Sequence, residues 1–178
     1  MNIETVLAGL QGLANGVKTL LPALAMLVGL LFIFSALRGV ASKGSDTRSM
    51  QGRADQSWAG IGGQLLVGGL LLRFGATIED VSVLLTGAGV QDYRGVMAYA
   101  PMPQGAGPWL QVIEVCLLWV HMLGYAGAFR GLLLWKKAAD GGHSGGQGGD
   151  LFNQGLWHLI GGALCVNMAG AIQAFLGN

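Results

Sequence analysis

The sequence predicts an all-α protein with four hydrophobic, transmembrane-type helices and a short amphipathic helix before them. The chain has 178 residues, of which 52% are hydrophobic and only 11% are charged, whereas soluble domains usually carry about 25% charged residues. No charged residue occurs between Lys18 and Arg38, and residues 20–37 read LLPALAMLVGLLFIFSAL. At ~1.5 Å rise per residue this segment is roughly 27 Å long, close to the ~30 Å hydrocarbon thickness of a bilayer. Both observations favour a membrane protein.

Glycine is the third informative feature, because it makes up 32 of the 178 residues and often lies inside hydrophobic segments. A G-X-Y period is missing, which excludes a collagen-like chain. Small residues inside apolar helices let helix backbones approach closely. The net charge of +1 excludes a general electrostatic attraction to nucleic acid. We therefore expect a single helical membrane domain over residues 1–178, without sequence-specific nucleic acid binding.

Residues 1–16 form the predicted amphipathic helix. Apolar side chains recur there at helical spacing, whereas Glu4, Gln11 and Asn15 occupy the opposite side. The apolar positions are Ile3, Val6, Leu7, Leu10 and Leu13. We expect this helix to lie on the membrane surface or against a partner, before the first span at residues 20–37. The segment has neither the basic start nor the long apolar core of a secretory signal.

Residues 59–74 form the second apolar helix, AGIGGQLLVGGLLLRF. The following Thr77-Ile78-Glu79-Asp80 matches a capping box, so a further helix is predicted to start near Thr77. Arg73 would then lie near the end of a short span and extend to the interface. The alternative is one long helix that reaches Leu85, with Arg73 in the middle of the membrane at a cost of ~2.5 kcal/mol or more.

Residues 109–135 and 156–176 are the third and fourth apolar helices. Trp109 and Trp135 are the end residues of the third segment, which suits the two interfacial belts of a membrane. The fourth segment is rich in Gly and Ala and is predicted to pack closely against other helices. Small-xxx-small pairs mark candidate packing positions in both segments; these are Gly127 with Gly131 and Gly170 with Ala174.

Two of the predicted loops carry distinct compositions. Residues 41–58 form a basic loop with Lys43, Arg48 and Arg53, and residues 136–155 form a glycine-rich loop. The glycine-rich loop lacks the GxxxxGK[ST] pattern of a phosphate-binding loop. Because both loops are basic or flanked by basic residues, the positive-inside rule places them in the cytoplasm and both termini outside.

Four ionisable residues lie inside or beside the apolar segments, namely Arg73, Glu114, His121 and Arg130. Such residues are functional candidates in a membrane. Glu114 and His121 are two helical turns apart and share one face, which is compatible with a proton or ion path. The alternative is a polar face that pairs with neighbouring helices or subunits. Arg130 precedes Trp135 closely and is expected to extend toward the interface.

The sequence predicts neither an enzyme nor a cofactor or metal site. GxSxG, HExxH, CxxC and nucleotide-loop patterns are all missing from the sequence. Cys116 and Cys165 both lie in hydrophobic segments and are interpreted as free thiols. A disulfide between them is geometrically possible but not favoured, because their expected depths in the membrane differ by nearly the usual Cα limit of ~7 Å.

The order of features resembles a known family. The chain begins with the amphipathic segment and a first span that ends LLFIFSALRGV. After these come the loop with Lys43, Arg48 and Arg53, the span AGIGGQLLVGGLLL and two further spans separated by a glycine-rich loop. This layout is similar to small integral membrane proteins of type IVB secretion systems, in Dot/Icm-like and IncI-type plasmid conjugation machines. The TraQ and IcmC/DotE group is nearest in size and layout. The resemblance covers most of the chain.

The resemblance implies a non-enzymatic structural subunit of a conjugative DNA-transfer apparatus in the bacterial inner membrane. Expected partners are other secretion-system subunits, further copies of this chain and membrane phospholipid. Two roles follow, a fixed membrane subunit or a pilin-like subunit that is extruded into an extracellular pilus. In the second role, Lys43, Arg48 and Arg53 would face a lumen or anionic lipid head groups. Known conjugative pilins carry half as many apolar segments, which is a departure.

A different class of function remains open from the residues themselves. A small transporter or channel would use the intramembrane groups Arg73, Glu114 and His121, and a holin-like protein would permeabilise the membrane. The transporter hypothesis predicts that Glu114→Gln abolishes an ion-driven flux, whereas the structural hypothesis predicts that bulky residues at Gly127 or Gly170 abolish assembly.

Overall fold

The computed structural model describes residues 3–44, 58–99, 107–141 and 147–176. All secondary-structure elements in these residues are helices, so the predicted all-α class is confirmed. Arg48 and Arg53 of the predicted basic loop lie outside the described residues. The helices are α1 (Ile3–Gly44), α2 (Trp58–Leu72), α3 (Phe74–Thr86), a 3₁₀ helix (Tyr93–Tyr99), α4 (Gly107–Gly141), α5 (Gln147–Val166) and α6 (Met168–Leu176).

The predicted amphipathic helix and first span are one continuous helix, α1. Apolar positions keep their helical spacing through residues 16–20, and nothing there stops the helix. Pro22 lies inside α1 without ending it. The glycine-rich loop predicted at residues 136–155 is also shorter than expected, because α4 extends to Gly141 and α5 begins at Gln147.

The fold consists of two halves with the same plan, a long helix followed by a bent helix pair. In the first half α1 is followed by α2 and α3, which meet at 91° around Arg73. In the second half α4 is followed by α5 and α6, which meet at 89° around Asn167. The first break, at Arg73, lies four residues before Thr77, where the sequence predicts that a helix starts. Thr77 itself lies inside α3. The second break lies within the single helix predicted for residues 156–176.

Close glycine contacts join the long helix to the next helix in each half. A Cβ built on Gly29 of α1 would lie 2.8 Å from the Gly68 carbonyl oxygen of α2. A Cβ built on Gly162 of α5 would lie 2.6 Å from the Gly124 carbonyl oxygen of α4. Both distances are too short for a larger side chain, so the helix backbones touch at these points. Gly68 precedes Arg73 by as many residues as Gly162 precedes Asn167.

The two long helices run in the same direction. Near their beginnings, Ala14 of α1 packs in one cluster with Leu118 and Met122 of α4. Near their ends, Nζ of Lys136 lies 5.3 Å from the centre of the Phe32 ring. Since α2 and α5 run antiparallel to these helices, both breaks lie at the same end of the bundle. The bent helices α3 and α6 and the 3₁₀ helix therefore form a layer across that end.

Several of the helices are suited to a membrane. Two of them, over Thr5–Lys43 and Trp109–Asp140, are long and apolar enough to cross a bilayer, and the number becomes four if each bent pair counts as one span. The described residues thus carry two to four helices that can span a membrane. The main buried cluster between them contains Leu71, Ile78 and Leu132, none of which is exposed.

Candidate functional site: the two helix breaks and the polar layer

Asn167 caps the break in the second half. Its side-chain oxygen accepts a hydrogen bond from the backbone N–H of Gly170, at 3.3 Å, which is the N-cap arrangement at the start of α6. The same oxygen accepts from the N–H of Gln91 at 3.1 Å. The side-chain nitrogen donates to the Thr86 hydroxyl at 3.1 Å and to the Ala88 carbonyl at 3.2 Å. Because Asn167 is completely buried, these four bonds satisfy a polar group that would otherwise be costly.

His121 completes the second break from the neighbouring helix α4. Its Nδ1 lies 2.9 Å from the carbonyl oxygen of Val166, the last residue of α5. That carbonyl is available because the Gly170 N–H bonds to Asn167 instead of continuing the helix. A carbonyl oxygen can only accept, so Nδ1 carries the hydrogen. The His121 ring is 3% exposed and lies edge-on to the Tyr125 ring, with centroids 5.2 Å apart.

The break in the first half has a different chemistry. Arg73 precedes α3 with φ −107° and ψ 36° and makes no side-chain capping bond. The Thr77 hydroxyl donates to the Leu70 carbonyl at 2.9 Å, a group that the break leaves without its helical partner. The Thr77 side chain therefore caps the end of α2 instead of starting a helix, which corrects the predicted capping box. Arg73 is exposed and lines a groove with Pro22 and Met26.

Glu114 and His121 do not form a joint site, although they share a face of α4. Nε of Arg94 in the 3₁₀ helix donates to Oε1 of Glu114 at 2.6 Å, and its Nη2 lies 2.5 Å from the same oxygen. This hydrogen bond raises the pKa of Arg94 above its ordinary value. Glu114 also lines a groove of about 440 Å³ with Gln11 and Gln111, between α1 and α4. The ion pair thus joins the 3₁₀ helix, in the layer with α3 and α6, to the start of α4.

The other predicted polar residues lie apart from the breaks. Arg130 is exposed on α4. Nζ of Lys43 lies 5.2 Å from the centre of the Trp58 ring and joins the end of α1 to the start of α2. At the same end of the bundle, Gln64 donates to Asp140 at 3.1 Å, and Asp140 pairs with Lys136 at 2.5 Å.

The predicted packing residues have unequal surroundings. A Cβ on Gly131 would lie 2.6 Å from the Gly155 carbonyl oxygen, so Gly131 belongs to the close contact of α4 with α5. A Cβ on Gly127 would find ordinary contacts at 3.7 Å and beyond. A Cβ on Gly170 would lie 2.6 Å from the side-chain nitrogen of Asn167, so Gly170 faces that side chain instead of another helix. Ala174 is exposed.

The described residues hold no group of three or more His, Cys, Asp or Glu side chains that could bind a metal ion. Cys116 and Cys165 are both free cysteines. Compared with known proteins, the chain matches no protein-family model, no curated protein and no solved structure.

Sequence reasoning missed Asn167, which caps the second break, and Arg94, which pairs with Glu114. An Asn inside an apolar, Gly-rich segment is itself a signal, because Asn is a poor residue inside a helix and a good N-cap. Arg94 could not be paired with Glu114 from the sequence, since the pairing depends on how the 3₁₀ helix packs onto α4.

Proposed function

We propose that this protein is a structural subunit of a type IVB-like conjugative DNA-transfer apparatus, inserted in the bacterial inner membrane. A pilin-like subunit of the conjugative pilus is the specific form of this proposal. The observation that carries it is a helical body in which α1 has exposed large apolar side chains at intervals from Val6 to Val40. Such a body can exchange lipid contacts for contacts with other subunits at small cost.

The use of the polar groups supports a structural role over transport. His121 donates to a helix-end carbonyl, and Glu114 pairs with Arg94 in the layer at one end of the bundle. Arg73 lies in a separate groove beside Pro22. A relay needs neighbouring groups that exchange protons or ions, whereas these three groups have separate structural surroundings. A transporter, a channel or a holin-like protein is the competing proposal.

The charge distribution supports the proposed orientation. Lys43, Lys136 and Lys137 lie at the end of the bundle opposite to the breaks. A cytoplasmic leaflet with anionic head groups attracts lysines at this position. In this orientation, Lys43 of the predicted basic loop would lie near phospholipid head groups, or near a lumen if the protein forms a filament.

Electron microscopy and mass spectrometry of filaments sheared from cells that carry this gene test the proposal. We expect this chain to be the major filament protein. Recovery only in the inner membrane, with filaments made of another protein, would contradict the pilin-like form and leave a fixed subunit. DNA transfer at normal frequency after deletion of the gene would contradict the proposal as a whole.

Glu114→Gln separates the structural class from the transporter class. The substitution removes the charge from the pair with Arg94 but keeps the shape of the side chain, so we expect normal membrane insertion and DNA transfer. Surface ion pairs contribute only about 0–1 kcal/mol, which is too little to disturb assembly. An ion-driven flux that is present in the native protein and lost in the variant would support a transporter.

A further inference from the structure

α1 carries a regular apolar seam that the described part of the chain leaves exposed. The spacing of its residues alternates between four and three, which is the a and d repeat of a left-handed coiled coil, and it continues through four heptads. The α1 seam consists of Val6, Leu10, Leu13, Val17, Leu20, Leu24, Leu27, Leu31 and Phe34. These side chains are 37% to 69% exposed. The period ends at Arg38, which occupies the next position of the repeat.

A bilayer cannot cover the whole α1 seam. The apolar segment between Lys18 and Arg38 is roughly 30 Å long at ~1.5 Å per residue, and it fills the hydrocarbon layer by itself. The seam residues before Lys18 extend about 18 Å farther along the same helix. The whole seam spans ~42 Å, and an average helix tilt of ~20° shortens it only to ~39 Å. The beginning of the seam therefore needs cover other than lipid tails.

The beginning of α1 is also held away from the membrane surface by its own bundle. α1 is unbroken, and its residue Ala14 is fully buried in the cluster with Leu118 and Met122 of α4. To lie flat on the membrane, this part of α1 would have to leave that cluster. The exposed residues Val6, Leu10, Leu13 and Val17 consequently remain on the outer side of the bundle.

The flanks of the seam suit a second copy of the same helix. The g positions beside it include Gly9, Gly16 and Ala23, and a Cβ built on Gly9 or Gly16 would meet nothing within 4 Å. Charged residues at e and g positions set partner choice through interhelical salt bridges. The e and g positions of this seam are uncharged, so two identical helices meet no like-charge repulsion along it. Because all copies insert into the membrane in one direction, such a pair is parallel. The residues at a positions then face a positions of the partner, and those at d positions face d positions.

We infer that the α1 seam is a self-association surface, on which the seam of a second copy of this chain docks in parallel. The pairing continues across Lys18, from the lipid-covered part of α1 into the part beyond the membrane. This inference deepens the proposed function and rests on it for its biological setting. The pairing itself requires only this chain in a membrane.

Disulfide cross-linking in membranes that contain this chain without other secretion-system proteins tests the inference. Cys116 and Cys165 are changed to alanine, and a single cysteine is introduced at Leu13, a d position of the seam. The matched control is Asn15→Cys, which is exposed two residues later on the opposite side of α1. Facing d residues of a parallel pair come within the range for a disulfide.

We expect mild oxidation to shift Leu13→Cys from monomer to dimer, whereas Asn15→Cys stays monomeric. Equal cross-linking at both positions would indicate random collision and overturn the inference. A monomeric Leu13→Cys that reacts with a water-soluble maleimide would show an uncovered seam, and one protected from the maleimide would show a different cover. Either result overturns self-association at this surface, and neither depends on whether the protein acts in conjugation.

Discussion

The two helix breaks have nearly the same angle but are held in different ways. The break at Asn167 is capped by a buried carboxamide with four hydrogen bonds and by His121 from α4. At the other break, the Arg73 side chain makes no capping hydrogen bond, and the Leu70 carbonyl accepts its hydrogen bond from the Thr77 hydroxyl. Similar backbone bends can thus be stabilised either by a buried polar network or mainly by the packing around them.

The difference also distinguishes the roles of the two breaks. Three partners of Asn167, namely Thr86, Ala88 and Gln91, follow α3 or end it, so the second break binds the two halves together. The Thr77 bond is confined to the first half. We therefore expect the second break to be critical for the arrangement of the halves, and the first break to tolerate changes at Arg73.

The largest contrast is expected between Asn167→Ala and Arg73→Ala. Removing the carboxamide leaves several buried backbone groups without partners, which costs about 3–5 kcal/mol when each buried unsatisfied group costs about 1–3 kcal/mol. Arg73 is exposed, and its loss should cost less than about 0.5 kcal/mol. Denaturation in mixed micelles, followed by circular dichroism, measures both free energies of unfolding. Equal costs for the two variants would remove the proposed difference between the breaks.

A smaller effect is expected at the glycines that lie before each break. Gly162→Val places a side chain against the Gly124 carbonyl and Ala128, whereas Gly161→Val meets open space. We expect a loss of about 2–3 kcal/mol for the first and little change for its neighbour. Gly68→Val and Gly69→Val form the same matched pair in the other half.

The thermal stability of the four purified variants in detergent checks this comparison. Loss of stability at Gly162 and Gly68 only would show that both halves use the same close helix contact. If Gly161→Val and Gly69→Val are equally damaging, backbone entropy or lipid contact matters more for stability than the close approach of the helices.

The smallest effect concerns the two side chains that cap helix-end carbonyls. His121→Phe and Thr77→Val keep approximate shape but leave the carbonyls of Val166 and Leu70 without these donors. Each should cost about 1–2 kcal/mol. Faster amide hydrogen exchange around one break in each variant would locate the effect. Exchange that rises equally at both breaks would indicate global destabilisation instead of local capping.

The sequence by itself determined the helical class and the apolar segments, because composition and helical periodicity are local properties. It offered a helix start near Thr77 as one of two alternatives, and the structure has the break at Arg73. It also identified Gly131, which lies at a close contact of α4 with α5. It did not separate this glycine from Gly127, which has ordinary contacts. The two glycines are the two members of one small-xxx-small pair, so the sequence pattern does not distinguish them.

Only the tertiary structure decided the second break, the Arg94–Glu114 pair and the role of His121. Asn167 can cap α6 because Thr86, Ala88 and Gln91 reach it from a segment far away in the sequence. The same holds for the Val166 carbonyl, which receives its donor from another helix. These contacts depend on how the two halves pack, and local periodicity carries no information about a partner on a different helix.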